Sequence, residues 1–247
     1  ASLAGNNEIA VGNVLGSNIF NLLVVLGCCG AIHAFKVRLR WDFLASILVG
    51  VILLLMIFRD FFLSRGEALI LLGLFAAFMA LTVRDAWINR VQAEETTSTL
   101  PPVRCFFYIA GGLAAIVWGG DLVVDCASEI ALAFGLSQTL VGLTVVALGT
   151  SLPELVTSIV ASRKGENGLA LGNVIGSNIF NILMVLAVSA AVKPIAVNRF
   201  AVIDAICLVI FSLITLVLCR SREQLSRVEG LAMLGMYAGY LVYICIR

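Results

Sequence analysis

The chain has 247 residues, 61% hydrophobic and 13% charged, with a mean hydropathy of +1.08. A water-soluble domain of this length cannot hide so much apolar surface, so the solvent is expected to be lipid. A net charge of +1 offers no basic field for a nucleic-acid partner.

A hydrocarbon core about 30 Å thick takes roughly 20 apolar residues per helix. In chain order that length predicts eight spans, at 10–33, 41–58, 66–83, 105–133, 138–161, 169–192, 200–219 and 228–246. The fold class is therefore an all-α polytopic membrane protein. The first segment reads as a span rather than a secretory leader, because it shows neither a basic start nor a small-residue cleavage motif. Between the third and fourth spans, residues 84–104 contain EETTSTLPP and read as a short polar linker. The seven cysteines (Cys28, Cys29, Cys105, Cys126, Cys207, Cys219 and Cys245) fall mostly in or beside spans. Without CxxC or Cys/His spacing they read as small packing residues rather than zinc ligands or a redox pair.

The chain repeats itself. GNVLGSNIFN at Gly12–Asn21 returns as GNVIGSNIFN at Gly172–Asn181, inside an ungapped match of Ala1–Gly27 on Ala161–Ala187 with 17 of 27 residues identical. SRGEALILLGLFAAF from Ser64 pairs in the same way with SRVEGLAMLGMYAGY from Ser226. Such self-similarity marks a duplicated unit. From one decamer to its copy the chain advances five spans, and an odd number reverses direction across the membrane. That is an inverted-topology repeat, the arrangement of secondary transporters with a site at the bilayer midplane. The expected units are 1–83, an incomplete first repeat of three spans; 84–104, the linker; and 105–247, the second repeat of five spans. The second copy continues upstream of Ala161 through LTVVALGTSLPELVTSIV, for which nothing before Ala1 is a counterpart. About two helices of the first repeat are therefore expected to lie outside this chain, as partners from the same protein.

Eleven of the sixteen Lys and Arg residues fall in the loops after the first, third, fifth and seventh spans. The positive-inside rule makes that side cytoplasmic, and with it the 84–104 linker.

In ALGTSLPE, from Ala147, Glu154 stands in an otherwise apolar stretch, where a charge costs about 2.5–3.5 kcal/mol at a helix centre and usually serves function. In a continuous helix Thr150 and Ser151, four and three residues earlier, share its face. Pro153 has no N–H, so the carbonyl of Gly149 loses its helical donor and needs a cavity or another partner. Carboxylate, hydroxyls and loose carbonyls together make a hard-oxygen site suited to Ca²⁺ or Na⁺. Ser17 and Asn21, and likewise Ser177 and Asn181, are four apart, so each pair projects from one helix face. Inversion brings the two pairs toward a common midplane. A packing reading stands beside this one: Gly12/Gly16 and Gly172/Gly176 fit close helix contact, with Ser and Asn as interhelical hydrogen-bond partners. Asp121, Asp125 and Glu129 fall at i, i+4, i+8 and read either as an ion vestibule or as an interfacial stripe. Arg199 and Asp204 read as an interfacial anchor and a helix-end polar group. An intramembrane hydrolase is disfavoured: Ser151 lies in GTSLP, where a nucleophile elbow needs Gly at position 153, and His33 is the sole histidine. Nor does any segment resemble a selectivity filter or a ring of charges, which argues against a channel.

ALGTSLPELVTSIVAS followed by GNVIGSNIFN, with the echo GNVLGSNIFN, resembles the α-repeat signature of the calcium/cation antiporter superfamily, the sodium/calcium exchangers. The resemblance covers essentially the whole chain and implies ten helices in two inverted halves, of which eight are present here. It implies no enzyme and no cofactor, but exchange of Ca²⁺ for Na⁺ by alternating access, with H⁺ as the alternative counter-ion. The expected location is the plasma (inner) membrane. The resemblance also implies the ligands: Thr150, Ser151, Glu154 and the backbone carbonyl of Ala147 from the second repeat, Ser177 and Asn181 from its partner helix, and Ser17 and Asn21 as first-repeat equivalents. With Asn at 21 and 181, the intact pocket is expected to carry about two negative charges, which balances one Ca²⁺.

Overall fold

Long apolar helices dominate the architecture. The computed structural model describes residues 7–36, 41–89, 101–135, 147–221 and 224–246. In chain order these form α1 (Asn7–Phe20), a π-helical turn (Asn21–Val25), α2 (Leu26–Ile32), β1 (Phe35–Lys36), α3 (Trp41–Asp60), β2 (Phe62–Leu63) and α4 (Arg65–Asn89). Then come α5 (Pro102–Ala133), α6 (Ala147–Thr150), α7 (Leu152–Arg163) and α8 (Asn167–Phe180). A second π-helical turn (Asn181–Leu186) leads into α9 (Ala187–Val192), β3 (Ile195–Ala196), α10 (Arg199–Ser221), β4 (Gln224–Leu225) and α11 (Arg227–Ile246). Among the described residues, seven helices are long and apolar enough to cross a membrane. The predicted span 138–161 falls partly outside the described residues. Its described part is not one helix but α6 and α7, separated at Ser151, with Pro153 in the first turn of α7. Proline fits there because first-turn N–H groups have no helical acceptor in any case.

Local chemistry marks the helix ends. Ser64 and Ser226 each open a capping box: the Ser64 N–H and Oγ donate to Glu67 Oε2 at 2.9 and 2.7 Å, and those of Ser226 donate to Glu229 Oε2 at 2.7 and 2.6 Å. Gly165, at φ +80°, turns the chain from α7 into α8, a conformation that a Cβ disfavours. α4 runs on to Asn89, past the expected unit boundary at 83.

The decamer helices form the centre. Within its most apolar window, 72% of the α1–α2 rod is buried and 50% of the α8–α9 rod, against 11% for α4 and 6% for α5. Large apolar side chains such as Leu44, Leu55, Phe58, Leu69 and Leu213 stay exposed on the outer helices, as lipid-facing surface requires.

Two short antiparallel ribbons record the inversion. Phe35 pairs with Leu225 and Lys36 with Gln224, while Leu63 pairs with Ile195 and Phe62 with Ala196. By the repeat offsets Phe35 corresponds to Ile195 and Leu63 to Leu225, so each ribbon is the other's two-fold mate. Each also joins loops assigned to one side of the membrane: those after the first and seventh spans, and those after the second and sixth.

The same two-fold relates two close helix crossings that differ in substance. α11 crosses α2 at Gly230, where an added Cβ would lie 2.5 Å from Ala31 N and 2.6 Å from Gly27 O; Gly30 has the same lack of room, against Leu225. The equivalents at the α4–α9 crossing are Ala68, Ala187 and Ala190, all fully buried. Small residues of this kind let backbones approach where lipid gives no hydrophobic drive to association. Gly230→Ala is therefore expected to destabilise the protein by about 1–3 kcal/mol, read as a lowered melting temperature in detergent. Gly235→Ala, with nothing within 4 Å of the new Cβ, should not lower the melting temperature, since Ala is the better helix former.

Candidate functional site

The two decamers meet at the centre of the molecule through side-chain amides. Asn18 Nδ2 donates to the Asn178 carbonyl at 3.1 Å, and Asn178 Nδ2 donates to the Asn18 carbonyl at 3.2 Å. Asn21 Nδ2 donates to Asn178 Oδ1 at 3.2 Å, and Asn181 Nδ2 donates to Asn18 Oδ1 at 3.0 Å. Each bond has a two-fold partner at the repeat offset of 160. Asn18 and Asn21 are fully buried and Asn178 is 3% exposed, so no bulk water competes for these amides. Both π-helical turns begin at the outer members of the set, Asn21 and Asn181. The widened turn at Asn21 sends the Leu26 N–H back five residues to the Asn21 carbonyl. Single π turns of this kind recur at functional positions.

Beside this crossing lies a cavity of about 340 Å³ lined by Glu154, Asn173, Ser177, Phe180 and Asn181, with Gly172 and Gly176 completing its wall. Glu154 stands in the first turn of α7, and its Oε2 is buried without a hydrogen-bond partner. A buried acceptor left unmade is costly and suits a cation. Added Cβ atoms at Gly172 and Gly176 would meet nothing within 4 Å. These glycines therefore do not pack a helix crossing as their spacing suggested; they leave space open at the cavity. Among the described residues no group of three His, Cys, Asp or Glu side chains gathers in one place. The donors at the cavity are instead one carboxylate, a hydroxyl and amides, all hard-oxygen chemistry.

Asn173 fastens the cavity wall. Its Nδ2 donates to Thr157 Oγ1 and Ser158 Oγ, both at 2.9 Å, and more weakly to the Glu154 carbonyl at 3.3 Å. Thr157 Oγ1 in turn donates to the Pro153 carbonyl at 2.7 Å. α7, which carries the acid, is thereby tied to α8, which carries Ser177.

Glu154, Ser177 and Asn181 thus share one cavity. Ser17 Oγ lies 3.1 Å from Thr150 Oγ1, a bond from the first decamer to the end of α6. Asn21 joins the group through Asn178, and its Oδ1 is buried without a partner. Ser151 is buried at the break between α6 and α7 rather than extending a helical face with Glu154. Ala147 opens α6. Gly149 presses so closely on Val124 of α5 that a Cβ has no room. Asp204, expected as an interfacial helix-end group, is 2% exposed within α10. Asp121, Asp125 and Glu129 stay exposed on α5. Asn18, Asn173 and Asn178 were not singled out by sequence, although all three belong to the repeated GNVxGSN pattern.

The family described as sodium/calcium exchanger protein matches residues 1–84 and 105–246. The putative antiporter CaxA of Alkalimonas amylolytica is 36% identical, over 97% of this chain and 79% of its own length. Inner membrane protein YrbG of Escherichia coli strain K12 is 35% identical, over all of this chain and 79% of its own length. Among solved structures, the sodium-calcium exchanger NCX_Mj soaked with zero Na⁺ and Ca²⁺ aligns with a TM-score of 0.82 at 30% identity, covering 99% of this chain and 79% of that one.

The Ser17–Thr150 contact has a direct test. With the native cysteines replaced, Ser17→Cys and Thr150→Cys together are expected to form a disulfide under mild oxidation, since the two side chains already touch. Both thiols should then resist maleimide labelling until a reductant is added. Full labelling after oxidation would place α6 away from the first decamer.

Proposed function

This chain belongs to the sodium/calcium exchanger family, and from that premise we propose that it exchanges Ca²⁺ for Na⁺, with Glu154 as the acid that anchors either ion. It is a multi-pass membrane protein and a cation/Ca²⁺ exchanger, a transporter rather than an enzyme. The observation that carries the finer reading is the cavity in which Glu154, Ser177 and Asn181 converge beside two bare glycines, with one carboxylate oxygen buried and unpartnered.

The proposed ligand set is Glu154, Ser177 and Asn181 at the cavity, Ser17, Asn21, Thr150 and Ser151 around the crossing, and the Ala147 carbonyl at the start of α6. Ca²⁺ takes about six to eight oxygens at roughly 2.3–2.6 Å and tolerates irregular geometry. Na⁺ is met by the same hard donors, so the two ions compete for one carboxylate. Mutually exclusive occupancy couples their fluxes, provided that the loaded and empty proteins favour different conformations; only such differential affinity moves a conformational equilibrium. The neighbour NCX_Mj has been soaked with Na⁺ and Ca²⁺ together, which supports the same pair of ions here. The proposed location is the plasma (inner) membrane with residues 84–104 cytoplasmic, a reading supported by the Lys and Arg bias.

Ca²⁺ uptake into proteoliposomes containing the full-length protein tests this reading. An outward Na⁺ gradient should drive radioactive Ca²⁺ inward, and Glu154→Gln should reduce that uptake to the level of empty vesicles. Uptake driven by a pH gradient in the absence of Na⁺ would replace Na⁺ by H⁺ as the counter-ion. Undiminished uptake by Glu154→Gln would remove the acid from the mechanism.

A further inference from the structure

An asparagine is two-faced towards a cation: its Oδ1 attracts and its NH₂ repels. Asn21 and Asn181 serve as ligands, as the reading above proposes, only if the correct end is turned to the ion, and the crossing contains a device that fixes which end it is. The backbone carbonyls of Asn18 and Asn178 can only accept. The side chain facing each carbonyl must therefore present its NH₂, as Asn178 does to Asn18 and Asn18 to Asn178. That leaves Asn18 Oδ1 and Asn178 Oδ1 turned the other way, as acceptors. The groups that meet them must donate, and these are Asn181 Nδ2 at 3.0 Å and Asn21 Nδ2 at 3.2 Å. The polarity passes along the chain and leaves the two outer amides with their oxygens turned away from the crossing. Asn21 Oδ1 is buried without a hydrogen bond, and Asn181 lines the cavity that holds Glu154. Reversing either outer amide would set two carbonyl-type oxygens face to face at the crossing and aim an NH₂ group outward.

We propose that Asn18 and Asn178 are positioning residues: each fixes the amide polarity of the opposite repeat's ligand, Asn181 or Asn21, so that oxygen faces the permeating cation. The inference rests on the site proposed above. It assigns Asn18 and Asn178 no contact with the ion. They act on ion affinity through hydrogen bonds, as outer-shell partners do when they orient metal ligands, whose loss costs about 10–100-fold in affinity or activity.

A double-mutant cycle on Ca²⁺ exchange by the full-length protein separates this role from simple helix gluing. Asn178→Ser withdraws the acceptor from Asn21 but keeps a small polar group in the crossing. Its half-saturating Ca²⁺ concentration should rise about 10-fold or more, with the maximal rate changed far less. In an Asn21→Asp background, where an oxygen faces the ion whichever way the side chain turns, Asn178→Ser should produce no further rise. Asn18→Ser with Asn181→Asp forms the mirror cycle and answers the question if the first pair folds poorly. The same rise in both backgrounds, a fall in maximal rate with half-saturation unmoved, or loss of folding in both serine variants would overturn the proposal, since each marks a structural role. Glu154→Gln measured alongside keeps the two readings apart. Exchange surviving that change sinks the site itself, whereas exchange lost with Asn178→Ser kinetically silent sinks only the positioning role.

Discussion

A primary amide buried in a bilayer has no water to fall back on, and the centre of this molecule is organised by that constraint. Four asparagines from two copies of one decamer each donate across the repeat boundary, two of them to backbone carbonyls and two to side-chain oxygens. An unmade amide hydrogen bond in an apolar setting costs several kcal/mol, so the two decamer helices meet in a defined register. Everything proposed for ion handling depends on that register. It sets Ser17 against Thr150, and it places Asn181 where the cavity opens beside Glu154.

Around this centre the fold is a frame with a two-fold relation between its parts. The ribbon of β1 with β4 and the ribbon of β2 with β3 clip the loops of one repeat to those of the other, in registers that the repeat offsets map onto each other. The paired capping boxes at Ser64 and Ser226, and the paired π turns at Asn21 and Asn181, show that the duplication preserved local geometry as well as residues. Helices α4 and α5 have little of their surface enclosed. The acid, hydroxyls and amides of the candidate site are thus carried by the two decamer rods and the broken α6–α7 segment.

Much of this was legible because duplication writes topology directly: the span parity between the copies gave the inversion, and the one acid in an apolar motif gave Glu154. What was not legible depends on partners far away in the chain. Helical spacing linked Ser17 to Asn21 and passed over Asn18, whose importance arises only when Asn178 arrives from 160 residues away. The glycines misled for a related reason. A missing Cβ permits either close backbone approach or open space, and sequence does not say which. Gly172 and Gly176, spaced for packing, border the cavity, whereas Gly27, Gly30 and Gly230, which drew no notice, make the tight crossing. The break at Ser151 was half legible, since Pro153 announced a lost hydrogen bond but not that the chain would restart a helix there.

The substitution of alanine for glycine between the two equivalent crossings has a thermodynamic meaning. A molecule whose halves were interchangeable in every atom would open to either side of the membrane at equal cost, because each form would be the mirror of the other under the two-fold. Here the α2–α11 seam has bare backbone against bare backbone, whereas the α4–α9 seam carries three methyl groups. The two seams occupy related places in the frame but differ in substance, so the two-fold relation is inexact where the helices approach most closely, and the two ends of the molecule are not energetically interchangeable.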